Sequence, residues 1–179
     1  MLSLVIGGAR SGKSRFAQSL ASGSPRVIYI ATAHADDDEM AQRIARHREE
    51  RPAQWTTVEA PLHLAGAIEQ HAPTAGVLLV DCLTIWLSNL SWEHREASAA
   101  ELEAIALREV ARIATAARHC HVILVTNELG CGLVPESAVA RRFRDLHGWV
   151  NQDAARAADW VYLLVAGIAV PIKQPGGGQ

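Results

Sequence analysis

The chain has 179 residues, of which 49% are apolar and 20% charged, proportions that suit one globular domain and exclude a disordered or fibrous protein. Its 17 Lys and Arg stand against 19 Asp and Glu, a formal net charge of -2, without the basic excess of a dedicated nucleic-acid binder, so no nucleic acid is expected as a partner. Three cysteines, Cys82, Cys120 and Cys131, are odd in number and form no CxxC pair, which points to a reducing cytoplasm and away from a disulfide framework or zinc site.

The first predicted element is the apolar run Leu2 to Ile6, read as a buried strand. It has no basic leader and runs directly into glycines, unlike a signal peptide. Gly7-Gly8-Ala9-Arg10-Ser11-Gly12-Lys13-Ser14 follows and fits G-x-x-x-x-G-K-[ST], between that strand and a predicted helix over Ser14 to Ala21. Glycines let backbone N–H groups turn toward phosphate oxygens, and the helix N-terminus adds positive potential. Lys13 can then reach the β and γ phosphates, and the Ser14 hydroxyl suits Mg²⁺. A glycine turn beside an exposed lysine is the plain alternative, but motif, strand and helix all agree against it.

The second predicted strand is Val27 to Ala31. Asp36 to Arg51 has a helical composition, acidic at its start and closed by Pro52. On a helix, Arg43, His47 and Arg51 fall at i, i+4 and i+8 and set an imidazole between two guanidiniums. That face suits a phosphate chain, with a neutral ring nitrogen free to attack phosphorus. Spacing alone favours a solvated face with ordinary Glu39–Arg43 and Arg46–Glu50 pairs. Thr57-Val58-Glu59 reads as an unremarkable exposed strand end.

Val77 to Val80 is the third strand, closed by Asp81, which is placed at the end of a strand neighbouring the phosphate loop to organise a metal. It could also cap a helix over Thr84 to Leu90. Ser88 to Ala100 reads as a polar loop. Ala106, Val110, Ile113, Ala114 and Ala117 then mark an amphipathic helix. Strand four, Val122 to Thr126, leads to Glu128, which either assists the base or the metal or is a polar loop residue. Ser137 to Ala158 forms another helix, with Ala140, Phe143, Val150, Ala154 and Ala157 on its apolar side. Val161 to Val165 is the fifth strand.

The longest apolar run, Trp160 to Ile172, is about 13 residues against the roughly 20 that span a bilayer, so no membrane insertion is expected. Continuous aliphatic runs alternating with helices indicate an α/β fold with a mostly parallel sheet. Residues 1–173 are expected to form one domain and 174–179 a flexible tail.

Several motifs occur in order: the Gly7 to Ser14 loop; Tyr29-Ile30-Ala31-Thr32; Asp37-Asp38-Glu39-Met40; and Arg43-Ile44 through His47-Arg48 to Arg51-Pro52 and Trp55. Val80-Asp81-Cys82-Leu83-Thr84, Val125-Thr126-Asn127-Glu128, Gly132-Leu133-Val134-Pro135-Glu136, Arg142-Phe143-Arg144-Asp145 and Asn151-Gln152 complete the set. From Leu4 to Lys173 the sequence resembles the bifunctional adenosylcobinamide kinase and adenosylcobinamide-phosphate guanylyltransferase family of cobalamin biosynthesis. The resemblance implies a P-loop NTPase (RecA-like) fold. It implies phosphorylation of adenosylcobinamide with ATP or GTP, then transfer of GMP from GTP to adenosylcobinamide phosphate through a covalent histidine. That histidine falls on His47.

The same resemblance implies nucleotide contacts from the loop, from Ala31, Thr32 and Ala33, from Arg48, Glu49, Glu50 and Arg51, and from Glu59 and Asp81. Glu59 could accept hydrogen bonds from guanine N1–H and its amino group. Family members are homotrimers, so a homotrimer is expected here. The chain departs from the pattern at Arg46, where some members carry a second histidine, and varies at Trp149 and at Thr32 to Ala35. The competing readings are an enzyme with one of the two activities and a P-loop module that switches its binding on nucleotide.

Overall fold

The computed structural model describes residues 1–34, 42, 45, 48 and 51–176. Its elements in chain order are β1 (Leu2–Gly7), α1 (Lys13–Ala21), β2 (Val27–Ala31), β3 (Thr56–Glu59), α2 (Leu64–His71) and β4 (Val77–Asp81). They continue with α3 (Leu83–Glu93), α4 (Ala99–Ala116), β5 (His121–Asn127), α5 (Ala138–Ala157), β6 (Trp160–Val165) and β7 (Ile168–Lys173). Among the described residues seven strands form one sheet in the order β3-β2-β4-β5-β1-β6-β7. All neighbours pair parallel except the β6–β7 hairpin. The expected α/β class and mostly parallel sheet hold.

The continuous apolar runs follow from burial on both faces. Leu4, Ile30, Leu78, Val80 and Leu124 face the cluster formed with α2, α3, α4 and α5. Their alternate neighbours Val5, Tyr29, Leu79, Ile123 and Val125 face α1 through Ala17 and Ala21. Fully buried leucines of this kind contribute ~2–5 kcal/mol each against truncation to Ala. Trp86 is wholly buried, and its indole N–H donates to the Leu62 carbonyl at 3.0 Å, so the ring enters the core without an unpaired polar atom.

Several elements differ from the sequence reading. The stretch Ser88 to Ala100 is not a loop: α3 runs on to Glu93 because Leu87 and Leu90 are buried, and α4 begins at Ala99. Ser98 and Glu101 form a reciprocal capping box at that start, closing two backbone donors. β7 turns the exit of the fifth strand into an antiparallel edge, through Ala166 and Gly167 at φ 51° and 83°, the left-handed pair a two-residue hairpin demands. β3 is a full sheet edge beside β2, and α2 packs Leu64, Ala65 and Ile68 into the core. On α5, Ala140 and Ala157 are exposed, whereas Leu146, His147 and Asn151 are buried with Val150 and Ala154.

Candidate active site

Parallel strands deliver their carboxyl ends to one edge of the sheet, where open α/β folds place ligands. β1 ends at Gly7, and the loop to α1 uses φ 55° at Arg10 and 95° at Gly12. Gly8, Ala9 and Arg10 are exposed, whereas Gly7, Ser11 and Lys13 are buried. A Cβ on Gly7 would lie 2.5 Å from the Leu164 carbonyl oxygen, so only glycine fits between β1 and β6. Lys13 Nζ donates to the Gly8 carbonyl at 2.5 Å, which curls the lysine back over the loop. Ser14 opens α1, half-buried, and the Ser11 hydroxyl is buried with no partner among the described residues.

Asp81 ends β4, and β4 is not adjacent to β1: β5 lies between them. The expectation of a neighbouring strand is corrected accordingly, and long-range strand order is the reason it was not visible in the local sequence. Asp81 is not a helix cap either, because Cys82 takes that position on α3. The Tyr29 hydroxyl donates to Asp81 Oδ2 at 2.8 Å. Burial, together with the Asp81 carboxylate, pushes the Tyr29 phenol far above its ordinary range, so it remains a donor. The same two causes raise the Cys82 thiol to about 11, which leaves it protonated and inert. The Asp81–Cys82 peptide is cis.

Arg51 lays its guanidinium over the Tyr29 ring, 3.4 Å from the centroid, and donates to Thr57 Oγ1 at 3.3 Å. Arg48 pairs with Glu59 at 3.5 Å, both exposed. The fold thus gathers Arg48, Arg51, Glu59 and Asp81 at the ends of β2, β3 and β4. Ala31 and Ala33 are half-buried beside them. Thr32 differs: it is fully buried, and its hydroxyl donates to the Cys82 carbonyl and accepts from the Cys82 N–H, each at 2.8 Å. That side chain is a lock between β2 and β4. His47, Arg43, Glu49 and Glu50 lie outside the described residues.

Sequence reasoning missed a polar knot at the end of β5. Thr126 Oγ donates to Asn151 Oδ1 at 2.8 Å, Asn151 Nδ2 donates to the Asn127 carbonyl at 3.0 Å, and the Asn127 N–H donates to Thr84 Oγ1 at 3.0 Å. His147 Nε2 meets the Thr84 hydroxyl at 3.0 Å, and Nδ1 meets Asn151 Nδ2 at 3.3 Å. Burial holds this imidazole down to about 4, so it is a neutral packing group and no free nucleophile. The Glu128 N–H donates to the Gly7 carbonyl at 3.0 Å, tying the knot to the phosphate loop. The usable signal was polar residues at i and i+4, His147 and Asn151, on the buried stripe of a helix.

A family model described as cobinamide kinase / cobinamide phosphate guanyltransferase matches residues 3–172. The chain belongs to this family. It is an enzyme of the kind that description names, one that couples a kinase with a guanylyltransferase in cobalamin synthesis. The bifunctional adenosylcobalamin biosynthesis protein CobU of Escherichia coli (strain K12) is 45% identical over 97% of this chain and 100% of its own length. The Salmonella typhimurium protein of the same name is 44% identical, over 97% of this chain and 100% of its own length. The Pseudomonas aeruginosa relative, named CobP, is also 44% identical, over 97% of this chain and 98% of its own.

In three dimensions the chain resembles the P4 protein from bacteriophage phi6 in complex with ADP, at 16% identity and a TM-score of 0.52. The likeness covers 99% of this chain but 56% of that one, and it supports the P-loop NTPase fold. Among the described residues no helix is long and apolar enough to cross a membrane, and no cluster of three or more His, Cys, Asp or Glu is placed to hold a metal.

Proposed function

We propose that this chain phosphorylates adenosylcobinamide with ATP or GTP and then transfers GMP from GTP to adenosylcobinamide phosphate, giving adenosylcobinamide-GDP, through a guanylyl group on His47. The observation that carries this reading is an intact phosphate loop together with a basic segment anchored at the same carboxyl edge of the sheet. Arg48 is tied to Glu59, and Arg51 to Thr57 and Tyr29.

In the kinase step, the loop N–H groups from Gly8 to Ser14 and the Lys13 ammonium bind the phosphate chain and offset charge on the γ-phosphoryl oxygens. The substrate hydroxyl oxygen bonds to the γ-phosphorus and releases its proton to solvent as the bridge to the β-phosphate breaks, leaving a nucleoside diphosphate. Ser14 and Asp81 present a hydroxyl and a carboxylate oxygen, hard donors that suit Mg²⁺ held jointly with phosphates and water. Such an ion would supply charge neutralisation to the phosphate chain.

In the transfer step, a neutral His47 ring nitrogen bonds to the α-phosphorus of GTP and pyrophosphate leaves. An oxygen of the corrinoid phosphate then takes the GMP, and the P–N bond breaks. Arg48 and Arg51 balance the phosphate charge, Glu49 and Glu50 belong to the same contact segment, and Ala31 and Ala33 contact the nucleotide, while the buried Thr32 between them holds β2 against β4. Glu59 reads guanine N1–H and N2–H. We further take residues 1–173 as one cytoplasmic domain acting as a homotrimer, whose neighbouring subunit completes the corrinoid site. A monomeric mass by light scattering at micromolar concentration contradicts the trimer.

The decisive test uses α-labelled GTP. The wild type is expected to carry an acid-labile, base-stable label, and the His47→Ala variant none. Equal labelling of both overturns the nucleophile assignment.

A further inference from the structure

Tyr29 stands in the middle of β2 between Ile28 and Ile30, with 2% of its surface exposed. A phenylalanine there would pack equally well, so the hydroxyl calls for an explanation, since a buried hydroxyl is costly without a partner. The register supplies the partner. Tyr29 lies opposite Leu79, and Asp81 is two residues further along β4, on the same face of the sheet. Diagonal cross-strand neighbours of this kind are within reach of an aromatic side chain. The 2.8 Å bond from the Tyr29 hydroxyl to Asp81 Oδ2 therefore fixes which way the carboxylate turns.

On its other side Tyr29 is opposite Thr57 of β3. Arg51 crosses both, stacking on the ring at 3.4 Å and donating to the Thr57 hydroxyl at 3.3 Å. A guanidinium held flat by an aromatic face keeps its donors in one plane with little rotamer freedom left. Its Nε is buried without a partner among the described residues.

We infer that Tyr29 is a positioning residue shared by the two half-reactions: its hydroxyl aligns Asp81 for phosphoryl transfer, and its ring aligns Arg51 for guanylyl transfer. This rests on the roles proposed above for Asp81 and Arg51. The two functions sit on different atoms of one side chain, so they separate by substitution. Tyr29→Phe removes the hydroxyl and keeps the stack. Arg51→Lys keeps the charge and the Tyr29–Asp81 bond but removes the planar stack.

The experiment measures three quantities on each variant: kcat and KM for adenosylcobinamide phosphorylation, the rate of covalent labelling by α-labelled GTP, and Mn²⁺ affinity by electron paramagnetic resonance with a non-hydrolysable GTP analogue. Tyr29→Phe is expected to lower phosphorylation kcat and Mn²⁺ affinity by about tenfold, the size of one hydrogen bond to a charged group. Labelling should fall less. Arg51→Lys is expected to shift the ratio of the two activities the opposite way, and Tyr29→Leu to lower both. Melting curves identify any variant that has lost its fold, and Tyr29→Phe and Arg51→Lys are the conservative pair that keeps the result readable.

A Tyr29→Phe protein with wild-type phosphorylation and Mn²⁺ affinity, or with both activities reduced equally, overturns the inference. Asp81→Asn separates it from its premise. If Asp81→Asn binds Mn²⁺ normally, the metal role of Asp81 fails and takes this inference with it. If Asp81→Asn is impaired while Tyr29→Phe is not, only the inference fails.

Discussion

The Gly167 N–H donates to the carbonyl of Ser11 at 2.9 Å, so the tip of the β6–β7 hairpin is bonded directly to the phosphate loop. The contact is tight on one side: a Cβ on Gly12 would meet the Gly167 Cα at 3.2 Å. The hairpin therefore does more than close the edge of the sheet. It braces the loop between β1 and α1 from the side of β6 and β7.

Substitutions at this joint should act on both stability and nucleotide affinity. Gly12→Ala places a side chain at φ 95° and against the hairpin, and the left-handed conformation alone costs ~1–2 kcal/mol. Gly167→Ala, at φ 83° with open space around it, meets the conformational cost without the clash. Urea unfolding is expected to rank Gly12→Ala below Gly167→Ala, with the wild type above both.

Lys13→Met keeps the aliphatic stem and removes the ammonium that now caps the Gly8 carbonyl. Phosphorylation should drop by ~10²–10³, the usual loss when one preorganised electrostatic group is removed from a reacting oxygen. A melting temperature within a few degrees of wild type, measured alongside single-turnover phosphoryl transfer, separates this from misfolding.

Glu59→Gln retains the shape of the side chain at the end of β3 but loses the charge that pairs with Arg48. If Glu59 reads guanine, labelling by GTP should fall by about tenfold, because a charged acceptor is replaced by a neutral one. Competition between GTP and inosine triphosphate, which lacks the 2-amino group, measures the effect. An unchanged preference removes Glu59 from base recognition.

The His147 imidazole has a folded value of about 4 against 6.5 for a free side chain, with burial the main cause and the Glu128 charge opposing it. Between those values the unfolded chain binds a proton that the folded chain refuses. Stability therefore rises with pH through this window and is lost as pH falls from about 6.5 toward 4, by up to ~1.4 kcal/mol per unit for this site. His121, also lowered to about 4 by burial and the nearby N-terminal ammonium, acts in the same direction. Denaturant titrations from pH 7 to 4.5 should show the slope, and His147→Gln should flatten it.

At Ser98, both halves of the capping box are present, with the Ser98 N–H donating to Glu101 Oε2 at 2.8 Å. Ser98→Ala should cost about 1 kcal/mol, read from the midpoint of urea unfolding.

The sequence by itself determined the local parts. The phosphate loop, five of the strands and parts of four helices follow from residue types whose consequences are short-range: glycines that permit positive φ, aliphatic runs buried on two faces, apolar stripes of helical period. The order of motifs also placed the chain in its family. Strand order and what it juxtaposes were decided only in three dimensions. That β5 separates β1 from β4, that Tyr29 reaches Asp81 across one strand pair and Arg51 from beyond the sheet, and that Gly167 clasps Ser11 all depend on residues tens to more than a hundred positions apart. No local pattern encodes them. The same holds for Thr32 and His147, whose polar atoms are satisfied by distant strands and helices, because a buried polar group looks in sequence like an exposed one until its partners are known. β3 and β7 were hard to read for a related reason: edge strands are half-exposed, so their hydropathy is set by one neighbour instead of two.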